Sequence, residues 1–217
     1  MANNITITVR NETADRYLYI TAFGKPEEAN PLEMYDTLFP VAWRVLPLGP
    51  DQHVSTIYPM QLQLSVKEHQ KEWDAIGRAT VKDVNLGQIW SFERYPKDAS
   101  FTQTTLVPGE TGKDGLVGLE NNAPQYIDAG LAKNGTLLMV QRRLPHGELA
   151  NFKLTPKLFW LFTSDLQEGD LIKSEKMEEQ SFTLDLINLA SVTLSVVTTD
   201  PGSGELGWAV SDRVEAS

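Results

Sequence analysis

The three histidines of this chain are the residues whose chemistry would matter most, because imidazoles serve both as acid–base groups and as metal ligands. His53, His69 and His146 stand far apart in the sequence. A metal site built on them would therefore require the fold to gather at least two of them beside a carboxylate. The sequence leaves a divalent metal site at these histidines open. Exposed turn histidines without a metal are the simpler interpretation.

No recognised catalytic motif accompanies the histidines. The chain contains no GxSxG, no HExxH, no GxGxxG and no GxxxxGK[ST] sequence. The string GSGELG at 202–207 lies between two strand-like segments without the following helix that phosphate binding needs, so it predicts a hairpin turn. The segments DPGSGE and GKDG offer oxygen ligands for calcium, but they lack the ligand spacing of an EF-hand loop. The cofactor therefore stays unknown, with a divalent metal as the open alternative.

Aromatic residues supply a candidate surface for a ligand or a partner. Trp73 belongs to the charged segment KEHQKEWD and is predicted to be exposed. An exposed ring beside carboxylates and a glutamine is typical of a sugar-binding platform or of a protein-binding hot spot. Tyr17 and Tyr126 would extend this surface. The tryptophans that fall inside strand patterns are predicted to be core residues: Trp43, Trp90 and Trp160.

Two arginines occupy matching positions in WRVLPLGP and QRRLPHGE, which share the pattern Arg-x-Leu-Pro-x-Gly. The match predicts that Arg44 and Arg142 have one role. Because carboxylates are strong bidentate partners of a guanidinium, we expect each to pair with a matched acid, Asp83 or Asp185. Neighbouring residues on a strand face opposite sides, so either Arg142 or Arg143 is expected to point inward. A site for an anion or a carboxylate ligand is the functional alternative.

Blocks of matching residues occur in the same order in both halves of the chain, at offsets of roughly a hundred residues. Their common order favours an internal duplication over coincidence. In each unit, the Leu-Pro-x-Gly sequence would end a strand, because proline cannot donate to a ladder and the glycine permits a positive φ. The matched blocks begin at Asn11 and Asn121, Arg44 and Arg142, Pro59 and Pro156, and Asp83 and Asp185.

Period-two alternation dominates the chain and predicts strands. In ITITVRN, for example, Ile5, Ile7 and Val9 alternate with polar residues. The sequence predicts an all-β protein of two tandem antiparallel, immunoglobulin-like β-sandwich domains at residues 1–107 and 116–217. The segment 108–115, PGETGKDG, is rich in glycine and proline and is predicted to link them. A single large β-sandwich or barrel is the alternative architecture.

Composition and charge bound the classes of function. The 217 residues are 41% hydrophobic and carry a net charge of −10. Such a field repels phosphate backbones and anionic lipid heads, which argues against nucleic-acid and membrane partners. The absence of cysteine excludes thiol nucleophiles, zinc-thiolate sites and disulfides. With no apolar leader and no membrane-spanning stretch, the sequence predicts a cytoplasmic protein.

These observations favour a non-catalytic binding or assembly protein built from duplicated β-sandwich modules. Its partner would be another protein or a second copy of the chain, met through end loops or edge strands. The first alternative is an enzyme with a histidine and carboxylate site, with or without a divalent metal, at the domain junction. The second is a lectin-like protein that binds a sugar, which requires an exposed Trp73 beside polar groups. A small-molecule ligand is compatible with either alternative.

Overall fold

The computed structural model describes residues 4–26, 36–73, 79–94, 99–103, 115–177, 181–200 and 202–216. Almost all regular structure in these ranges is β, which confirms the predicted fold class. A single-turn helix, α1, spans Ser174–Met177. The strands are β1 Ile5–Asn11, β2 Leu18–Phe23, β3 Leu38–Pro40, β4 Ala42–Leu48, β5 His53–Tyr58, β6 Leu62–Glu68, β7 Thr80–Val84, β8 Ile89–Arg94, β9 Ala99–Gln103, β10 Leu116–Asn121, β11 Ile127–Lys133, β12 Thr136–Leu144, β13 Leu149–Lys153, β14 Lys157–Phe162, β15 Phe182–Asp185, β16 Leu189–Asp200 and β17 Glu205–Glu215.

Four sheets pair face to face into two sandwiches. In the first sandwich, the sheet β17-β16-β1-β5 packs on the sheet β15-β14-β2-β4. In the second sandwich, the sheet β13-β10-β8-β9 packs on the sheet β3-β12-β11-β6-β7. The predicted alternation is visible in β1, where Ile5, Ile7 and Val9 are buried in the first core. Each sandwich therefore has a hydrophobic core of its own.

The tryptophans predicted to be core residues are buried. Trp43 and Trp160 lie fully buried in the first core, and Trp90 lies in the second. The Trp43 ring meets the ring of Tyr58 edge-on at a centroid distance of 5.2 Å, a favourable arrangement for two aromatic side chains. The strand patterns around these residues are thus sufficient to place them inside.

Each of the four sheets combines strands from both halves of the chain. β1 runs parallel to β16, and β8 runs parallel to β10. The other pairings of the described strands are antiparallel, including β2 with β14 and β6 with β11. The predicted division at 107 and 116 therefore does not separate the two sandwiches, because each half supplies only half of every core. Of the predicted linker 108–115, all residues but Gly115 lie outside the described ranges.

The two sandwiches repeat one strand arrangement. The order β17-β16-β1-β5 in the first corresponds to β9-β8-β10-β13 in the second. Likewise, β15-β14-β2-β4 corresponds to β7-β6-β11-β12, with β3 as an additional edge strand. The strands β1, β2, β4 and β5 of the first half therefore correspond to β10, β11, β12 and β13 of the second half. Likewise, β6, β7, β8 and β9 correspond to β14, β15, β16 and β17.

Two buried asparagines make equivalent hydrogen bonds in the two sandwiches. Asn11 Nδ2 donates to the Leu48 carbonyl at 3.1 Å, and Asn121 Nδ2 donates to the Leu144 carbonyl at 2.9 Å. The side-chain oxygen of each asparagine accepts from the backbone N–H two residues later. Such an amide satisfies backbone groups that a chain reversal would otherwise leave unpaired. Asn11 and Asn121 therefore hold corresponding turns, as their match in the sequence predicted.

The repeated Leu-Pro-x-Gly sequence does not occupy corresponding positions. Pro47 lies inside β4, whereas Pro145 follows the end of β12 and begins the turn to β13. In that turn the positive φ falls on Gly147, at 77°, but in the corresponding turn of the first sandwich it falls on Asp51, at 55°. A strand therefore ends within this sequence in both units, but β4 continues through Pro47 to Leu48, whereas β12 ends at Leu144. Aspartate tolerates the left-handed conformation well enough to replace glycine there.

Cleavage between the halves tests the exchange of strands. We expect a protein cut at a protease site inserted within 104–114 to elute from native gel filtration as one species, because every sheet contains strands from both fragments. The fragments should separate only in denaturant. Two fragments that elute independently and remain folded would contradict the interleaved arrangement.

Candidate functional site

A bulge in β12 makes the ladder between β11 and β12 irregular at Asp128. Ile127 pairs with Leu144 and Ala129 pairs with Gln141, so two residues of β12 lie opposite the single residue Asp128. Arg143, one of the two, has a positive φ of 57°. An extra residue of this kind re-aims side chains and is common beside functional sites. Here it turns Arg142 and Arg143 in different directions around Asp128.

Asp128 is a buried carboxylate with charged neighbours. Its side chain is 1% exposed, and its Oδ1 accepts a hydrogen bond from the Arg143 backbone N–H at 3.0 Å. The same oxygen lies 2.7 Å from Nδ1 of His69. Its Oδ2 lies 3.7 Å from Nε of Arg142. Two donors thus satisfy Oδ1, whereas Oδ2 accepts no hydrogen bond from the described residues and is balanced by the Arg142 charge.

Cations and aromatic rings surround this carboxylate. The Lys67 ammonium lies 3.8 Å from the centroid of the Trp73 ring, and the Arg142 guanidinium lies 5.5 Å from the same ring. The Arg143 guanidinium lies 5.3 Å from the centroid of Tyr126. These distances fall within the range of cation–π attraction. We call these five residues, Lys67, Trp73, Tyr126, Arg142 and Arg143, the cation–aromatic cluster.

Hydrogen bonds fix the orientation of the cluster. Trp73 Nε1 donates to the Gly169 carbonyl at 2.9 Å, and a terminal nitrogen of Arg142 donates to the Gln70 carbonyl at 2.7 Å. A pocket of about 290 Å³ adjoins the cluster and is lined by Lys67, Trp73 and Asp128 among others. The side chains that a ligand would meet are therefore held in place before it arrives.

Several residues predicted from the sequence lie in or beside this site. Trp73, Arg142 and Tyr126 belong to the cluster, and His69 contacts its central carboxylate. Trp73 is half-buried, whereas the sequence predicted it to be exposed. Asp128 was missed, although the sequence carries a signal for it. It is a lone carboxylate in the apolar stretch IDAGLA, which lies within the fully buried strand β11.

Arg44 and Arg142 do not share one role. Arg44 donates to Glu168 Oε2 at 3.3 Å and to Thr136 Oγ1 at 3.2 Å, whereas Arg142 faces Asp128. Because the matched Leu-Pro-x-Gly sequences are out of structural register, the two arginines occupy different positions in their strands. The sequence match that linked them therefore has no structural counterpart.

The acids predicted to pair with these arginines bond elsewhere. Asp83 accepts a hydrogen bond from the Gln63 side chain at 2.8 Å, and Asp185 accepts one from the Ile187 backbone N–H at 2.8 Å. The prediction of these partners is wrong, because sequence proximity to the matched blocks does not place an acid beside a guanidinium. Tyr17 lies in the first sandwich, where its ring is 5.4 Å from that of Tyr19.

The three histidines are not gathered. His53 lies exposed in β5 of the first sandwich, while His146 lies in the turn after β12 with Nδ1 3.1 Å from the Ala123 carbonyl oxygen. Of the three, His69 contacts Asp128, the carboxylate that the cluster surrounds. In the described part of the chain, no group of three or more histidine, aspartate or glutamate residues is arranged to hold a metal ion.

No family model matches this chain, and neither a curated protein nor a solved structure matches it. Among the residues that the structure describes, no helix has the length and apolar character needed to span a bilayer. The site is therefore interpreted from its own geometry.

Removal of the Asp128 carboxylate tests how much it contributes to the stability of the fold. We expect Asp128→Ala to lower the free energy of unfolding by about 2–4 kcal/mol, because Arg142 and the Arg143 N–H lose their buried partner. Urea unfolding followed by tryptophan fluorescence measures this. Asp83→Ala is the matched control, since Asp83 is exposed, and should change the value by about 0.5 kcal/mol or less. Equal effects of the two substitutions would contradict the interpretation of Asp128 as a buried anchor.

Proposed function

We propose that this protein is a non-catalytic binding module whose cation–aromatic cluster recognises an acidic segment of a protein partner. The observation that carries the proposal is the convergence of three cations on two aromatic rings. This positive cluster belongs to a chain with a net charge of −10. A local reversal of charge on an acidic protein selects anionic partners and speeds their association.

The residue types in the cluster are those that dominate binding energy at protein interfaces. Tryptophan, tyrosine and arginine are enriched among hot-spot residues. Trp73 and Arg142 are each tied to a backbone carbonyl, at 2.9 and 2.7 Å. Because their conformations are already fixed, less side-chain entropy is lost when a partner binds. These features support a binding role more strongly than a purely structural one.

An acid–base enzyme is the second candidate, and the His69–Asp128 contact at 2.7 Å favours it. A carboxylate that accepts from Nδ1 orients an imidazole and leaves Nε2 to take a proton from a substrate. This candidate ranks second because, among the hydrogen bonds of the described residues, His69 contacts no hydroxyl group that would act as nucleophile.

A sugar-binding role receives less support from the geometry. It required an exposed Trp73, but this side chain is half-buried and its indole N–H is engaged by the Gly169 carbonyl. The Lys67 ammonium also lies 3.8 Å from the centroid of its ring. A stacking platform for a pyranose needs a free aromatic face, so the proposal for this ring is a protein partner.

We further propose that the two interleaved units descend from one duplicated β unit. The repeated strand order and the equivalent bonds of Asn11 and Asn121 support this. The first half of the chain then gained β3 and the segment that precedes it. We also propose a cytoplasmic location, because a chain without cysteine suits a reducing compartment.

Binding of an acidic peptide tests the proposed function. We expect a short glutamate-rich peptide to bind more tightly than its glutamine-rich counterpart, with an affinity that falls as salt is raised. Trp73→Ala and Arg142→Ala should each weaken binding by about tenfold or more, or about 1.4 kcal/mol. Fluorescence anisotropy of the labelled peptides measures both effects.

A matched pair of lysine variants controls for general loss of charge. Lys82 lies 5.0 Å from the Trp90 ring, in the same relation as Lys67 to Trp73 but outside the cluster. Lys67→Ala should weaken binding of the glutamate-rich peptide, and Lys82→Ala should not. Equal affinity for the two peptides, or equal effects of the two lysine variants, would refute the proposal.

Esterase activity discriminates the second candidate from the first. Under the binding proposal, the wild type and His69→Gln should hydrolyse p-nitrophenyl acetate at the same rate, because none of the described residues places a hydroxyl group within hydrogen-bond distance of the imidazole. A loss of tenfold or more in His69→Gln, reproduced by Asp128→Asn, would instead establish His69 as a general base. Initial rates measured at neutral pH are sufficient for the comparison.

A further inference from the structure

A second, larger cavity lies where the two sandwiches meet. Its volume is about 600 Å³, within the usual range of small-molecule sites. Both cores contribute to its walls, through Tyr58 and Leu186 from the first and Leu62 and Val84 from the second. The cavity is thus formed between the two sandwiches and not within either one.

The mouth of this cavity carries three exposed apolar side chains, with Asn85 and Asn188 beside them. The β7–β8 turn places Leu86 at its rim, and the corresponding β15–β16 turn places Ile187 there. Their exposed fractions are 57% and 53%, and that of Met60 beside them is 41%. Three large apolar side chains exposed around one opening form a hydrophobic patch of the kind that marks a ligand site.

One buried cation, Lys133, lies in the wall of the cavity. Its residue is 3% exposed, and its Nζ donates to the carbonyls of Pro59 and Met60 and lies 4.4 Å from the Tyr58 ring centroid. An ammonium group has three donors, and two carbonyls accept from it among the described contacts. The residues that line the cavity include no aspartate or glutamate. No ion pair of Lys133 occurs within the described ranges.

No negative charge among the described residues balances this cation, which is met only by two carbonyls and the Tyr58 ring. Burial lowers the pKa of Lys133 to about 8, so at neutral pH the group still carries a proton for most of the time. Burial raises the pKa of Tyr58 further above its ordinary value, so the phenol beside it stays neutral. A buried charge without a counter-charge is costly, and an anion brought to it recovers part of that cost.

We propose that this junction cavity binds an amphipathic small molecule with an unbranched apolar chain and one carboxylate, which contacts the ammonium of Lys133. The chain occupies the space between Leu62, Leu154 and Leu186, and the rim residues cover it. The proposal concerns a second site, independent of the cation–aromatic cluster. Small ligands and the acidic partner would therefore bind at separate places.

A series of head groups on the unchanged protein tests this directly. Isothermal titration calorimetry at neutral pH compares decanoate, decanol and decyltrimethylammonium, which share one chain and differ in charge. Decanoate should bind about tenfold more tightly than decanol, and the ammonium compound most weakly. Equal affinity for decanoate and decanol, or no binding of either, would overturn the proposal.

Variants locate the site. Lys133→Met should remove the preference for decanoate over decanol, whereas Lys173→Met, an exposed lysine outside the cavity, should keep it. Ile187→Asp adds a negative charge at the exposed rim and should weaken decanoate binding more than decanol binding, even if Lys133→Met fails to fold. An unaltered preference in a folded Lys133→Met, or in Ile187→Asp, would show that decanoate binds elsewhere.

Discussion

The exchange of strands between the two halves is the constraint on which the rest of this structure depends. Parallel pairing of β1 with β16 and of β8 with β10 forces each half to complete the core of the other. Neither half can bury the apolar face of its own sheets alone, so the two cores form together. The same exchange brings both sandwiches into close contact and encloses the cavity between them.

The exchange of strands buries β11, and the two charged residues of this strand are the basis of both proposed sites. Every residue of the strand is buried, yet the strand carries one acid, Asp128, and one base, Lys133, near its two ends. Each charge requires compensation, because isolated charges are costly in an apolar interior. Asp128 is compensated by His69, which follows the neighbouring strand β6, and by Arg142, which lies in β12. Among the described residues, Lys133 is met by carbonyl dipoles and the Tyr58 ring but by no carboxylate, which leaves room for an anionic ligand.

The cation–aromatic cluster shows how a local irregularity becomes a surface feature. The β12 bulge separates Arg142 from Arg143, so one guanidinium approaches Trp73 and the other approaches Tyr126. The corresponding strand pair in the first sandwich, β2 with β4, carries Tyr19 where β11 carries Asp128. The charged site is thus specific to one of the two corresponding positions.

Local pattern in the sequence determined the β class and the buried faces of strands such as β1, because alternation reports burial residue by residue. It also identified Trp43, Trp160 and the turn asparagines Asn11 and Asn121. Which strands pair was decided only by the tertiary structure, since contacts between residues a hundred or so positions apart leave no local pattern. For the same reason the sequence misassigned the acid partners of the arginines. Asp128 compensates Arg142 because β11 and β12 are neighbours in one sheet, which spacing along the chain does not reveal.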